Sequence, residues 1–257
     1  MTRPEEFDER FPGPDLAPEV WTTSYLPAWS SRTASAARYT LESDGLHLTI
    51  PPDHPLWCPD LHPTPLRVSA VQSGNRSGPL GSTQGQQPFR EGLLVREEQP
   101  TVLGYTPRYG SVEVTCSARI SPASMFSAWM VGLEDEPDRC GEICLVEVFG
   151  DAVDGDRAAV GSGIHAFRDP RLVEEFSAEP TTIDVTRPHR YAVDWRPDRV
   201  EFFVDDRRTR VCAQAPDYPM QLILGVFDFP ERRSAGDTAV PELVVHRVSG
   251  SRSPSAR

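Results

Sequence analysis

The sequence predicts an all-β sandwich or jelly roll, and three features of the chain carry this prediction. Three strand-like runs follow one another closely at residues 191–195, 200–204 and 207–211. In the first two runs every second residue is apolar, which is the period-two pattern of a half-buried strand. Gly, Pro and Asp interrupt the chain at short intervals, and no long helical period competes with the strands. This combination favours packed antiparallel sheets over an α/β fold.

Further strand-like runs extend the pattern over most of the chain. They lie at residues 45–50, 110–120, 125–133, 142–149, 221–229 and 241–248. The stretch 51–90 breaks this rhythm because it is rich in Pro, Gly, Ser and Gln, and it is predicted to be a long loop region. Such a region either builds a wall of a binding site or is a solvated insertion. We predict a single domain over residues 1–248, followed by a flexible tail at 249–257.

Composition and charge exclude two classes of partner. Of the 257 residues, 38% are hydrophobic and 25% are charged, which is the balance of a globular chain. The formal net charge of -12 repels phosphate backbones and anionic lipids, so neither nucleic acid nor a membrane surface is expected as a partner. No apolar stretch approaches the roughly 18 residues that a membrane span requires.

The N-terminus and the cysteines indicate the cellular compartment in which the protein is expected. The first eleven residues include four acidic side chains and no apolar run, so they lack the features of a signal peptide. The five cysteines are odd in number and irregularly spaced, which does not suggest a disulfide framework. A cytoplasmic protein with reduced thiols is therefore expected.

The segment 141–150 carries the strongest chemical signal, because Glu142 and Glu147 interrupt an otherwise apolar strand. Five is an odd spacing, so a regular strand would place the two glutamates on opposite faces. A β-bulge between Cys144 and Glu147 would return all three side chains to one face. Two carboxyl groups roughly 5 Å apart are the arrangement of a retaining glycosidase, one acting as nucleophile and the other as acid/base. The alternative is a structural pair, with one glutamate in solvent and the other bound to an arginine.

Other kinds of site find little support in the sequence. Cys140 and Cys144 lie four residues apart, which in an extended chain separates their sulfurs by roughly 13 Å. No Cys-any-any-Cys pair accompanies them, so a metal site is not expected. A Gly-any-Ser-any-Gly elbow, which a serine hydrolase of the α/β type would need, is absent from the sequence.

The same segment resembles the signature of glycoside hydrolase family 16, in which a glycine is followed by Glu, any residue, Asp, two apolar residues and Glu. Here residues 141–147 read Gly-Glu-Ile-Cys-Leu-Val-Glu. Residues 109–113 are similar to the family's strand leading into its cleft, residues 127–130 to its tryptophan-bearing strand, and residues 189–205 to its closing hairpin. The resemblance covers most of the chain and is stronger after residue 109.

This resemblance implies a concanavalin A-like jelly roll of two curved antiparallel sheets whose concave face binds an oligo- or polysaccharide. It also implies retaining hydrolysis or transfer of β-linked glucan- or galactan-type chains, without a cofactor. Carried over residue by residue, Glu142 is the nucleophile and Glu147 the acid/base. Trp129 takes a sugar-stacking position and His165 a position in the cleft. Without the resemblance, Trp129 is equally a core residue and His165 equally a strand histidine with internal partners.

One position departs from the family pattern, because Cys144 stands where the family has aspartate. A thiol with an ordinary pKa near 8.5 is neutral and accepts hydrogen bonds weakly. The nucleophile would thereby lose the carboxylate that orients it. The alternative function is therefore a catalytically impaired jelly roll that binds carbohydrate or a protein partner.

Overall fold

The computed structural model describes residues 6–251, which form strands and short 3₁₀ turns. The seventeen strands are β1 (Glu6–Glu9), β2 (Tyr39–Glu42), β3 (Gly45–Thr49), β4 (Arg67–Gln72), β5 (Gly74–Asn75), β6 (Val102–Leu103), β7 (Gly110–Arg119), β8 (Ser124–Gly132), β9 (Glu142–Phe149), β10 (Val153–Asp154), β11 (Arg157–His165), β12 (Glu175–Thr182), β13 (His189–Arg196), β14 (Arg199–Val204), β15 (Arg207–Cys212), β16 (Met220–Asp228) and β17 (Glu242–Ser251).

Two antiparallel sheets contain nearly all of these strands. The eight-stranded sheet has the order β15-β14-β13-β7-β17-β3-β2, with β1 also paired to β17. The seven-stranded sheet has the order β10-β11-β9-β8-β16-β4, with β12 also paired to β11. The predicted all-β sandwich of antiparallel sheets is confirmed, and residues 191–211 form the predicted consecutive strands β13, β14 and β15.

The main core lies between the two sheets and follows the alternation of the strands. On β8 the side chains of Phe126, Ala128 and Met130 point into this core, and Tyr191, Val193 and Trp195 of β13 face them from the other sheet. Alternate residues of a strand lie on opposite faces, so the residues between those of β8 must point away from the core. That second face of the seven-stranded sheet is the one that carries the candidate site.

A second apolar cluster covers part of that outer face. Met125, Trp129 and Val131 of β8 pack there with Ile223 and Phe227 of β16. Side chains from the segments before β2, before β4 and before β6 close over them, including Leu26, Trp29, Trp57, Leu66, Leu93 and Val95. The loops are therefore anchored to the sheet by buried apolar contacts rather than lying free in solvent.

The prediction for residues 51–90 is wrong in part, because this stretch contains β4 and β5. Strand β4 pairs with β16 over six residues, with Val68 opposite Phe227 and Gln72 opposite Ile223. Its polar residues Ser69 and Gln72 are fully buried. Ser69 accepts from the Arg38 backbone N–H and donates to the Arg38 carbonyl. These long-range partners make a polar strand possible, and the local sequence does not reveal them.

The predicted tail also needs correction at its first residues. Ser249, Gly250 and Ser251 belong to β17 and pair with both β1 and β7. They are ordered because β1, from the other end of the chain, supplies backbone hydrogen bonds along this part of β17. Residues 1–5 and residues 252–257 of the predicted tail lie outside the described part of the chain. Among residues 6–251 no helix has the length and apolar character to cross a membrane.

Candidate active site

The two glutamates of β9 share one face of the sheet because β9 contains a bulge. Against β8, Glu142 pairs with Val131, Cys144 with Trp129 and Glu147 with Ser127, and the register shifts between Ala128 and Trp129. These three residues of β8 are two apart, so they point the same way, and directly paired side chains also point the same way. The bulge that the functional interpretation required is therefore present.

Burial of two adjacent apolar side chains stabilises the bulge. Leu145 and Val146 are adjacent in the chain, yet both lie in the core between the sheets, together with Ile143 and Val148. A residue pair that shares a face in this way is the mark of a bulge, in which two residues oppose one on the neighbouring strand. Apolar burial of both side chains favours this arrangement over a regular strand, which would force one of them out of the core.

Strand β11 repeats the same register on the other side of β9. His165 pairs with Glu142, Gly163 with Cys144 and Gly161 with Glu147, with a register shift between the glycines. Gly163 has a φ of 142°, and a Cβ there would lie 2.2 Å from the Glu175 carbonyl oxygen. Only glycine fits at this position, next to the bulge. Since the glycines carry no side chains, the sheet surface beside Cys144 and Glu147 is not filled by β11.

The carboxyl of Glu142 has two polar neighbours. Gln87 Nε2 donates to Glu142 Oε2 at 3.2 Å, and His165 Nε2 lies 4.0 Å from Glu142 Oε1. The other ring nitrogen of His165, Nδ1, donates to Glu174 Oε1 at 2.6 Å. His165 also stacks on Phe176, with ring centroids 4.3 Å apart. These contacts fix the imidazole beside the Glu142 carboxyl, and the predicted role of His165 in a substrate cleft stays a prediction.

Burial and mutual repulsion control the protonation of the glutamate pair. Burial, followed by the charge of Glu147, raises the pKa of Glu142 well above its usual range, and the Gln87 amide opposes this. Burial also raises the pKa of Glu147, while His165 lowers it. Two interacting carboxyls titrate as a pair, so the pair holds its last proton more strongly than an isolated glutamate would. A retaining mechanism needs this proton on the acid/base and an ionised nucleophile, whereas burial favours the proton on Glu142, so a nucleophilic Glu142 requires its transfer to Glu147.

Cys144 is neutral at the centre of this arrangement. Its side chain is fully buried, and burial together with the charges of Glu142 and Glu147 raises the pKa of the thiol well above its ordinary value. Its Sγ lies 4.0 Å from the Ser127 hydroxyl. A neutral thiol is a weak hydrogen-bonding group and a poor nucleophile, so Cys144 contributes packing rather than charge to the site.

Trp129 lies on the catalytic face but presents little surface. It is only 5% exposed and packs between Tyr25 and Phe227, whose ring centroids lie 6.3 Å and 6.0 Å from its own. Its indole N–H donates to Gln87 Oε1 at 3.3 Å. The indole thus supports Gln87, which in turn binds Glu142. Its predicted role as a sugar-stacking platform stays a prediction, and in this conformation its rings are covered.

Sequence reasoning missed Gln87 and the residues that hold it. Gln87 sits in a Gln- and Gly-rich part of the predicted loop, where nothing local distinguishes it from a solvated residue. Its backbone N–H donates to Glu134 Oε1, and Arg168 forms an ion pair with Glu134 Oε2. Glu134 belongs to an acidic run that reads as an exposed turn. Only tertiary contacts single these residues out.

One cluster with the spacing of metal ligands occurs within residues 6–251, and it lies elsewhere. Glu42, Asp44 and His47 belong to β2, β3 and the turn between them, in the eight-stranded sheet. His47 Nε2 already contacts Asp44 Oδ1 at 2.9 Å, and its Nδ1 contacts Glu242 at 2.9 Å. Both ring nitrogens are therefore engaged with carboxylates, and the cluster has no contact with the glutamate pair.

Comparison with known proteins places this geometry in a family. The model of glycosyl hydrolases family 16 matches residues 105–239, just over half of the chain. The chain belongs to glycosyl hydrolases family 16. The matched range contains every strand from β7 to β16, and so includes the bulged β9 with both glutamates. Comparison with curated proteins gives no match.

Solved structures agree with the family 16 assignment. A GlcNAcα1-4Gal-releasing endo-β-galactosidase from Clostridium perfringens is 26% identical with a TM-score of 0.82, over 95% of this chain. The chain spans 61% of that protein's length. A laminarinase from Flavobacterium sp. UMI-01 is 16% identical with a TM-score of 0.64, over 96% of this chain and 99% of the other. A Crh5 transglycosylase is 14% identical with a TM-score of 0.62, over 97% of this chain and 85% of the other. At these lower identities the likeness shows the jelly-roll fold.

The carboxyl of Glu134 is expected to give this family 16 protein a pH-dependent stability. Burial raises the pKa of Glu134 to about 7, although the Gln87 N–H and Arg168 oppose this. The folded state therefore binds a proton more tightly than the unfolded chain, whose glutamate titrates near 4.5. The resulting stability is complete below pH 4.5 and is lost as the pH rises through 7. The loss in the free energy of unfolding amounts to at most about 3 kcal/mol, and Glu134→Gln is expected to remove it.

Thermal unfolding at pH 5 and pH 8 measures this effect. The native chain is expected to lose more stability between the two pH values than Glu134→Gln does. Glu136→Gln is the matched control, because Glu136 is an exposed neighbour that pairs with Arg139 on the surface. Equal pH dependence in all three proteins would contradict the role of Glu134.

Proposed function

We propose that this protein cleaves or transfers the β-glycosidic bonds of a glycan chain with retention of configuration. The observation that carries the proposal is the bulge of β9, which places Glu142 and Glu147 on one face beside His165 and Gln87. Paired glutamates on one sheet face fit an acid/base and a nucleophile that act on the same bond. Membership of glycosyl hydrolases family 16 supports the same class of reaction.

In this mechanism the two glutamates divide the chemistry. The Glu142 carboxylate attacks the anomeric carbon while Glu147 gives its proton to the departing glycosidic oxygen, so that bond breaks and a glycosyl ester forms. Glu147, now ionised, takes a proton from the incoming water or sugar hydroxyl. That oxygen attacks the same carbon and releases Glu142. His165 and Gln87 orient Glu142, and no cofactor takes part in these steps.

The substrate is proposed to be a β-linked galactan- or glucan-type chain. Of these two, a chain with galactosyl linkages is the preferred candidate. The endo-β-galactosidase from Clostridium perfringens has the higher identity of the solved structures described above, and its name specifies a galactosyl bond. The laminarinase and the transglycosylase support the wider range of glucan substrates and the transfer reaction through the fold alone.

The stereochemistry of the first product tests the mechanism. Digestion of a β-linked galactan or glucan followed by proton NMR is expected to show the β-anomer first, with the α-anomer appearing only through mutarotation. Retention requires a nucleophile on the face opposite the leaving group, as assigned to Glu142. An initial α-anomer would mean inversion and would exclude a covalent intermediate on Glu142.

A second candidate function is binding of carbohydrate without turnover. Three features favour it: Cys144 stands where the resemblance leads us to expect an aspartate, Trp129 is covered, and Glu142 is only 8% exposed beneath Gln87. Under this alternative the native chain and Glu142→Gln bind oligosaccharides equally and neither releases reducing ends. The intact glutamate pair favours catalysis, because a binding surface has no need of two repelling buried carboxyls.

A further inference from the structure

A pocket of about 210 Å³ lies next to the glutamate pair and is built by five chain segments. Gln87 lines this pocket and also binds Glu142. Phe167 lines it from the other side, and its ring centroid lies 5.7 Å from that of His165. Two wall residues of the pocket therefore contact groups at the glutamate site: Gln87 contacts Glu142, and Phe167 contacts His165. We call it the Phe167 pocket; its remaining walls come from Tyr25, Leu26, Trp57, His62, Leu66, Pro88, Phe89, Glu134, Cys140 and Arg168.

Phe167 is the feature of this pocket that calls for an explanation. Its side chain is 56% exposed although phenylalanine is normally buried. The residue also has a φ of 45°, in the left-handed region that non-glycine residues rarely adopt. Leu26, Gln87 and Glu134 of the same pocket have positive φ as well. Half of the eight such non-glycine residues within 6–251 thus line one pocket, and backbone strain of this kind concentrates at ligand sites.

The chemistry of the walls fits one neutral sugar ring. The exposed aromatic ring of Phe167 suits the C–H surface of a pyranose, and polar groups suit its hydroxyls. Above pH 7, where Glu134 is ionised, Arg168 and Glu134 form an ion pair and neither presents an uncompensated charge to a ligand. Glu142, Glu147 and Glu174 lie nearby, and the chain as a whole carries a formal charge of -12. An anionic sugar would be repelled here.

We propose that the Phe167 pocket is a subsite for one neutral pyranose unit of the glycan chain, with exposed Phe167 as its stacking platform in place of buried Trp129. This inference rests on the proposed function and names the substrate class of the same site. The volume lies below the range of pockets for drug-sized ligands, which limits the occupant to a single ring. Units beyond it must extend along the sheet face past His165 and Glu142.

Binding to the inactive Glu142→Gln protein tests the subsite without turnover. Isothermal titration with β-linked galactotetraose and laminaritetraose, and with an oligogalacturonide of the same length, gives the affinities. In this background Phe167→Ala is expected to weaken binding of the preferred neutral tetraose about tenfold, while Phe167→Trp retains affinity. Leu80→Ala is the matched control, because Leu80 is a similarly exposed apolar residue that does not line the pocket.

The outcomes separate the subsite from the proposed reaction. Lost binding in Phe167→Ala with no turnover by the native chain would keep the subsite and reject the hydrolase. Turnover by the native chain with an unchanged KM in Phe167→Ala would keep the hydrolase and reject the subsite. Tighter binding of the oligogalacturonide than of either neutral tetraose, or no binding of any neutral tetraose, would also overturn the subsite.

Discussion

Glu142→Gln is expected to lower kcat by at least about a thousandfold on the best substrate of a panel of β-linked galactans, glucans and their oligosaccharides. The amide cannot attack the anomeric carbon, so no glycosyl ester forms. The KM changes little, because the side chain keeps its shape and Gln87 can still hydrogen-bond to it. Reducing-end release by the native and variant proteins measures the difference. Equal release by both would exclude Glu142 as the nucleophile.

Azide distinguishes the roles of the two glutamates. In Glu142→Ala, azide can occupy the space of the missing nucleophile and give a glycosyl azide of inverted configuration. In Glu147→Ala, Glu142 still forms the ester, and azide then gives a product of retained configuration. Substrates with activated aryl leaving groups are expected to rescue Glu147→Ala but not Glu142→Ala, since a good leaving group needs no proton. The reverse pattern would exchange the two assignments.

Cys144→Asp is expected to raise kcat/KM by at least about tenfold and to lower stability at the same time. A carboxyl at this position can hydrogen-bond to Glu142 and orient it, which the neutral thiol does poorly. The same carboxyl enters a fully buried position between two glutamates, so folding must pay its desolvation, on the order of 1–3 kcal/mol. Reducing-end release and thermal unfolding of the same preparation measure both effects.

Two control variants identify the cause of any gain. Cys144→Asn has the shape of aspartate without its acidity, so a gain limited to Cys144→Asp would assign the effect to the ionisable proton. Cys144→Ala is expected to keep activity within a few-fold, because a neutral buried thiol does no chemistry. A loss of a hundredfold in Cys144→Ala would show that the sulfur itself takes part. Unchanged turnover in Cys144→Asp would show that the site does not depend on an acceptor at this position.

Local sequence patterns were sufficient for the fold and for the centre of the site. The alternation of apolar residues in β13 and β14 reflects the contact of one strand face with the core, so it is visible in the chain itself. The spacing of Glu142 and Glu147 demanded a bulge, and the register of β9 contains it. The polar strand β4 escaped prediction, because Ser69 and Gln72 are satisfied by partners far away in the sequence.

The sequence by itself therefore determined the antiparallel sheets and the strand that carries the glutamates. The tertiary structure decided what surrounds them. Gln87 reaches Glu142 from the predicted loop, Trp129 is covered rather than open, and Phe167 is exposed at the mouth of the adjoining pocket. The physical reason is that alternation records only whether a residue faces the core. Contacts between loops that are distant in the chain depend on packing and hydrogen bonds. These interactions produce no periodic pattern in the local sequence.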